Sequence, residues 1–347
     1  SKLIIMTINN EEFKNINLFF KKNNFILSNE LPKKIGNGQS NPTYILLNEN
    51  EEKFILRTQP KGDLARGAHR LDREFHVLSG LSANGFSVPK PLMICEDKSV
   101  IGRDFYVMEY VDGKIYEDPF LPDNKPDERK KIYENLAKTL GHLHSYNINK
   151  LDIPFKKNNG FMIRNLKIWY NQIFTDENQD KDILKIYDFI IQNNPENNNL
   201  CLIHGDYKLD NLVIGNNSQC LAVLDWELSA FGEPEIDLSF QMINWLIPRG
   251  VLYGIGLEWN LHDLPSAENF LKFYEETYGK KVNLDLLNIY CLFSLIKLYC
   301  ILKGIENRVK SGNAASKEAT EKVMAAAGIK NVLLKAYENY PNNMIVA

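Results

Sequence analysis

The stretch from Ile203 to Glu227 concentrates the residues best suited to chemistry. It reads IHGDYKLDNLVI, a polar turn Gly215-Asn216-Asn217-Ser218, and then LAVLDWE. Asp206 is the candidate to hold an acceptor hydroxyl and take its proton. Asn211 and Asp225 are hard oxygen donors of the kind that bind Mg²⁺. Together the three point to phosphoryl transfer, in which a protein supplies alignment and positive charge rather than covalent chemistry.

The flanking pattern says what positions them. An apolar run, Leu200 to Ile203, leads into the loop; Leu212-Val213-Ile214 and Leu221 to Leu224 follow. Strand, loop, strand, turn, strand is the economical reading. Asp237 lies near the start of the next helix, where it would cap that helix or brace the loop backbone.

Upstream, residues 11 to 27 put Phe13, Ile16 and Phe20 on one helical face, and Pro32 ends that segment. Three strands follow: one before the turn Gly36-Asn37-Gly38-Gln39-Ser40-Asn41, then Tyr44 to Leu47 and Phe54 to Arg57. The backbone of Gly38, Gln39 and Ser40 could lie against phosphates, although a plain hairpin turn would look the same. A Walker P-loop is excluded, because no GK[ST] occurs. Arg57 ends the third strand and is a candidate phosphate cation, with Lys61 as the alternative. Glu74, in a helix Leu71 to Leu81 with Phe75, Leu78 and Leu81 inward, is the carboxylate expected to pair with Arg57; Asp72 and Arg73 are expected to face solvent. Strands Pro91 to Cys95 and Phe105 to Tyr110 then run into Met108-Glu109-Tyr110-Val111-Asp112-Gly113. Backbone groups of Glu109 and Val111 there are candidates to meet an adenine edge.

From Pro126 the pattern becomes helical, with Ile132, Leu136, Leu140 and Leu143 in one stripe. His142 and His144 sit two residues apart, point to different faces, and read as ordinary helix-end residues. Trp169 and Tyr170 read as core. Leu286 to Ile305 is apolar nearly all round and reads as a buried helix, and Gly312-Asn313-Ala314-Ala315 as a turn before a last helix.

The 347 residues suffice for two domains, placed at 1-110 and 111-347. A net charge of -3 argues against a nucleic-acid partner. Five scattered cysteines without a CxxC pair suit reduced core thiols in a cytoplasmic setting. The opening SKLIIMTINN is too short for a signal peptide. The most apolar run, Ile289 to Leu302, contains Lys297 and is too short to span a bilayer, so no membrane association is expected. No pattern specifies an oligomeric state.

The order of these elements resembles the aminoglycoside phosphotransferase-like kinases, which share the protein-kinase fold and include choline kinases. Asp-x₄-Asn is the spacing of the protein-kinase catalytic loop, and Asp225 stands where the metal-binding Asp of the DFG segment would stand. GQSNPTY (Gly38 to Tyr44), AHRLDREF (Ala68 to Phe75), SVIGRDFYVMEYVDG (Ser99 to Gly113), HGDYKLDNL (His204 to Leu212), LAVLDWELSAFGEPEIDL (Leu221 to Leu238) and GNAAS (Gly312 to Ser316) look like the kinase-like N-terminal domain of the long acyl-CoA dehydrogenases and its stand-alone bacterial relatives. The resemblance implies an α+β, bilobal protein-kinase-like fold: a small N-lobe with an antiparallel sheet plus helix, and a larger, mostly helical C-lobe. It also implies ATP and Mg²⁺ as cofactors and an enzyme that moves the γ-phosphoryl of ATP to a hydroxyl of a small molecule. Hydroxy acids or hydroxyacyl thioesters are the acceptors it suggests. An aminoglycoside or choline-type kinase and a catalytically silent nucleotide-binding module are the alternatives. Two positions depart from the wider pattern: Arg57 stands where the aminoglycoside enzymes have Lys, and the glycine turn lacks its last Gly. A protein kinase is disfavoured, because Trp226-Glu227 follows Asp225 and no APE-ended activation loop appears.

Overall fold

A computed structural model describes residues 8–36, 41–62, 70–175, 178–194, 199–310 and 317–340. Two compact units are present. The first comprises residues 1–113, 151–154 and 221–229, and the second comprises the remainder.

The first unit opens with α1 (Asn10–Lys22). Asn9 caps it by accepting from the Glu12 N–H, while Glu12 reaches back to the Asn9 N–H. Phe13, Ile16 and Phe20 are its buried face. Strands β1 (Lys33–Ile35), β2 (Thr43–Leu47) and β3 (Lys53–Thr58), helix α2 (Leu71–Ala83), and strands β4 (Pro91–Cys95) and β5 (Phe105–Glu109) follow. The five strands form one antiparallel sheet, in the order β1-β2-β3-β5-β4. Alternation along β2 puts Tyr44 and Leu46 into the core, where they join Leu56, Phe105, Val107 and the α1 aromatics. Each such side chain contributes roughly 1.5–3 kcal/mol through burial. On α2, Leu78 and Leu81 are buried as expected, while Phe75 is half-buried with its ring 5.8 Å from that of Tyr106. Asp72 and Arg73 depart from the solvent-facing expectation. Both are half-buried, and Asp72 is fixed by the Arg70 guanidinium.

The second unit is mostly helical. It holds α3 (Pro126–Ser145), α4 (Phe161–Ile173) and α5 (Lys181–Gln192), with short strands β6 (Cys201–Ile203) and β7 (Leu212–Ile214). Strand β8 (Cys220–Val223) passes into residues 221–229, which belong to the first unit. The second unit then resumes with β9 (Ala230–Gly232), α6 (Glu235–Met242), α7 (Ala267–Tyr278), α8 (Leu284–Lys310) and α9 (Lys317–Asn339). The apolar stripe of α3 is fully buried and packs on α7. Gly141 makes that approach possible, because a Cβ there would collide with the Tyr274 carbonyl oxygen. Tyr170 is core, stacked on Tyr187 with ring centroids 4.2 Å apart, while Trp169 is half-buried.

Helix α8 corrects one expectation. Its stretch Leu284–Asn307 outruns the apolar run and is long and apolar enough to cross a membrane; 67% of its most apolar window is buried inside the protein. Packing against α4, α6 and α9 accounts for that apolarity. The turn expected at Gly312 to Ala315 lies outside the described residues.

Candidate active site

The first unit gathers one half of the sequence-predicted residues. Arg57 comes from β3, whose register places it opposite Thr43 and Tyr106. Its Nη1 lies 3.2 Å from Glu74 Oε1, and its Nη2 lies 3.3 Å from Asp225 Oδ1. Glu227, which the sequence reading did not single out, stands 3.8 Å from the same Nη2. Arg57 and Glu74 are buried, whereas the side chains of Asp225 and Glu227 are 31% and 30% exposed. The guanidinium is therefore held from inside by one carboxylate and flanked by two that meet solvent. Its Nε is buried and has no hydrogen-bond partner among the described residues.

A tight turn sets Asp225. Its φ of 65° is in the left-handed region, a conformation that persists in a non-glycine residue only where surroundings enforce it. The enforcement comes from Trp226, which is 1% exposed. Its indole N–H donates to the Val223 carbonyl and its ring meets Phe86 edge-on. Ser229 closes the turn, with its N–H and hydroxyl both donating to the Trp226 carbonyl. The Trp226-Glu227 pair that separates this strand end from a protein kinase thus has a physical role: Trp226 anchors and Glu227 faces the cation.

Burial shifts these charges. Desolvation works against the Arg57 cation, but Glu74, Asp225 and Glu227 more than offset it and hold the guanidinium charged. Burial pushes the Glu74 carboxyl up to about 7, against the pull of Arg57. The ordinary glutamate value is 4.5, so between that value and about 7 the folded state binds more protons through Glu74 than the unfolded chain does. Stability through this group accordingly falls as pH rises across that window. Glu74→Gln is expected to flatten the slope of unfolding free energy against pH there, by at most about 1.4 kcal/mol per pH unit. Urea denaturation at several pH values checks this, and identical slopes in the two proteins would count against it.

Glu109 closes β5, and its N–H donates to the Lys90 carbonyl. The Glu109 N–H is therefore already taken. Gly38, Gln39 and Ser40 lie outside the described residues. Lys61, the alternative phosphate contact, pairs instead with Glu12 at 2.9 Å.

The second unit gathers the other half. The loop after β6 turns at Gly205, whose φ of 86° suits glycine. Asp206 follows with its side chain 29% exposed. Asn211 ends a short 3₁₀ turn (Leu209–Asn211). Its Nδ2 donates to the Asp206 carbonyl at 2.9 Å and lies 3.4 Å from Asp206 Oδ2. With Nδ2 so engaged, the amide oxygen of Asn211 is the atom able to accept or to meet a cation. Lys208 Nζ lies 3.3 Å from Asp206 Oδ2 and 3.5 Å from Asp210 Oδ2. Burial opposes the Lys208 charge, and the two carboxylates raise its pKa nonetheless.

Asp237 braces this loop, accepting from the backbone N–H of His204 at 2.6 Å and of Gly205 at 2.8 Å. His144 is no ordinary helix-end residue. It is wholly buried, with Nε2 3.3 Å from Asp237 Oδ2 and Nδ1 2.8 Å from the Tyr274 hydroxyl. Lys297 of α8 donates to the Gly205 carbonyl at 3.1 Å. Burial lowers its pKa, and Asp206 and Asp237 partly offset that. Asp237→Ala would take the carboxylate from two buried N–H groups and one of the two partners from His144. We expect a loss of about 3–5 kcal/mol in unfolding free energy, measured by denaturant titration; a loss below about 1 kcal/mol would show the brace to be incidental.

Sequence signals for the missed residues were thin. Lys208 and Glu227 lie inside the motifs already singled out, two residues past Asp206 and Asp225. His144 and Lys297 carry no local pattern.

Fold and site residues define the class: an α+β protein-kinase-like phosphotransferase. The chain belongs to the phosphotransferase enzyme family (APH), whose sequence model matches residues 32–270. Acyl-CoA dehydrogenase family member 11 of Rattus norvegicus is 37% identical over 290 residues, which is 81% of this chain. The match covers 37% of that relative, so this chain spans little more than a third of its length. A candidate aminoglycoside phosphotransferase of Ralstonia eutropha JMP134 is similar in structure, with a TM-score of 0.83, 28% identity, and coverage of 94% of this chain and 98% of that one. Amicoumacin kinase hAmiN, solved with AMP-PNP, Ca²⁺ and Ami, has a TM-score of 0.63 at 16% identity over 92% of this chain and 93% of its own, and shares the fold.

Proposed function

We propose that the protein is a small-molecule kinase that moves the γ-phosphoryl of ATP to a hydroxyl, with Asp206 as its base. The observation that carries this reading is the state of Asp206. It is part-exposed, oriented by Asn211, and set in a loop whose backbone Asp237 holds. That geometry presents a carboxylate to an incoming hydroxyl without the cost of ordering it during the reaction.

Nucleotide and metal suit the donors present. Arg57, beside the part-exposed Asp225 and Glu227, is the cation we assign to the phosphate oxygens. Asp225 and the Asn211 amide oxygen are hard ligands of the type Mg²⁺ takes, and Glu227 beside Arg57 is a further carboxylate of that kind. When bound, Mg²⁺ would neutralise charge on the phosphate oxygens. Glu74 fixes the angle of Arg57, and the Glu109 carbonyl and Val111 N–H would read the adenine edge. Lys208 holds Asp206 in place and adds positive charge beside it. Two domains, divided near residue 110, and a cytoplasmic location complete the reading.

Hydroxy acids or hydroxyacyl thioesters are the acceptors we favour, on the strength of the acyl-CoA dehydrogenase relatives. The antibiotic kinases share the fold and make an aminoglycoside-type acceptor the second reading. A screen of hydroxy acids, their thioesters and aminoglycosides for acceptor-dependent ADP release separates the two. Release with aminoglycosides alone would overturn the preferred substrate class.

A further inference from the structure

We propose that Tyr253 is a positioning residue for the loop that carries Asp206: its hydroxyl and ring keep the Lys208 ammonium on Asp206 rather than on Asp210. The inference rests on the reading of Asp206 as the base. Lys208 Nζ lies 3.3 Å from Asp206 Oδ2 and 3.5 Å from Asp210 Oδ2. Such nearly equal distances put two carboxylates in competition for one cation. Tyr253 acts on Asp210. Its hydroxyl donates to Asp210 Oδ2 at 3.3 Å, and its ring centre lies 5.4 Å from Lys208 Nζ, within cation–π reach. Asp210 Oδ1 is buried and has no hydrogen-bond partner among the described residues. Without the Tyr253 hydroxyl, Lys208 would be the one side chain there that answers Asp210, and a carboxylate so placed draws the cation toward itself.

The backbone fixes the place of the ring. Tyr253 lies downstream of α6 in a turn closed on both sides. The Val251 N–H donates to the Pro248 carbonyl at 3.2 Å, the Gly254 N–H to the Val251 carbonyl at 3.0 Å, and the Ile255 N–H to the Asn244 carbonyl at 2.8 Å. Leu252, just before it, has a φ of 50°, a left-handed conformation that a non-glycine residue keeps only where its surroundings enforce it. Burial and the Asp210 carboxylate push the Tyr253 hydroxyl up, so it retains the proton it donates. The cavity bordered by Lys208, Asp210 and Tyr253 is about 30 Å³, room for about one or two waters and not for an acceptor. Tyr253 therefore serves the loop there rather than lining a pocket.

Tyr253→Phe tests this, because it keeps the ring and deletes the donor at a residue that is 39% exposed. Crystal structures of wild type and variant are expected to show Lys208 Nζ moving toward Asp210 and beyond about 4 Å from Asp206, the limit of an ion pair. The rate constant for phosphoryl transfer is expected to fall about tenfold, the low end for a hydrogen bond to a charged group, with AMP-PNP affinity within about twofold of wild type. Adding Asp210→Asn removes the competing charge, and it is expected to return Lys208 to Asp206 and to recover most of the rate. A merely structural hydroxyl would not be rescued in this way. Lys208 unmoved in Tyr253→Phe, a wild-type rate in that variant, or no recovery in the double variant overturns the proposal. Crystallography needs no acceptor. Wild-type protein that transfers phosphoryl to no hydroxy acid, thioester or aminoglycoside sinks the kinase reading, while the position of Lys208 still decides what Tyr253 holds.

Discussion

Asp206→Asn is expected to lower the rate constant for phosphoryl transfer by about 10²–10⁴-fold, the range that a positioned general base contributes. The amide keeps the size of the carboxylate and still accepts from Asn211, so the loop retains its shape. It cannot take a proton, and it breaks the ion pair with Lys208 that spans 3.3 Å. On the proposed reading Asp206 does not itself hold the nucleotide, so nucleotide affinity is expected to stay within about twofold of wild type, because the loss falls on the transition state alone. Pre-steady-state transfer and AMP-PNP titration on the same protein check both halves. A rate near wild type would remove Asp206 from its role.

Arg57→Met is expected to be the most destabilising change in the first unit, by about 3–5 kcal/mol. Glu74 is fully enclosed, and without the guanidinium its carboxylate would stand uncompensated beside Asp225 and Glu227. Much of the cost is thus the charge left behind rather than the lost pair itself. Arg57→Met combined with Glu74→Gln is accordingly expected to recover a large part of the stability, since neither partner then remains charged inside. Arg57→Lys keeps the charge but not the fork that reaches Glu74 and Asp225 together, and falls between. Denaturant midpoints of the four proteins decide the matter. An Arg57→Met protein within about 0.5 kcal/mol of wild type, or a double variant no better than the single, would show that Arg57 is not the hub of these carboxylates.

Much of this arrangement was legible in the chain because it is carried by short-range signals. Asp206 and Asn211 belong to one loop, and their spacing alone suggests a shared task. Arg57 could be placed because β-strand alternation locates a strand end, and Glu74 because it heads an amphipathic helix. Asp237 was readable as a brace from its position at the start of a helix. His144 was misread for the opposite reason. Its partners lie at Asp237 and Tyr274, on helices far along the chain, and only the close α3–α7 approach at Gly141 brings the ring to them. Lys297 was hidden likewise: within an apolar helix a lone lysine says nothing of the Gly205 carbonyl it reaches. Glu227 was visible as a family mark without a role, because its function depends on the left-handed turn at Asp225.

The central claim, that a phosphoryl group passes from ATP to a small-molecule hydroxyl, is tested most directly by isotope transfer. ATP labelled with oxygen-18 on the γ-phosphate is incubated with the protein, Mg²⁺ and a panel of hydroxy acids and hydroxyacyl thioesters, and the products are weighed by mass spectrometry. The account predicts an ester that carries the labelled non-bridging oxygens, with its bridging oxygen from the acceptor, and no such ester with Asp206→Asn. Label that appears only in inorganic phosphate, at equal rates with and without acceptor and in both proteins, would contradict it.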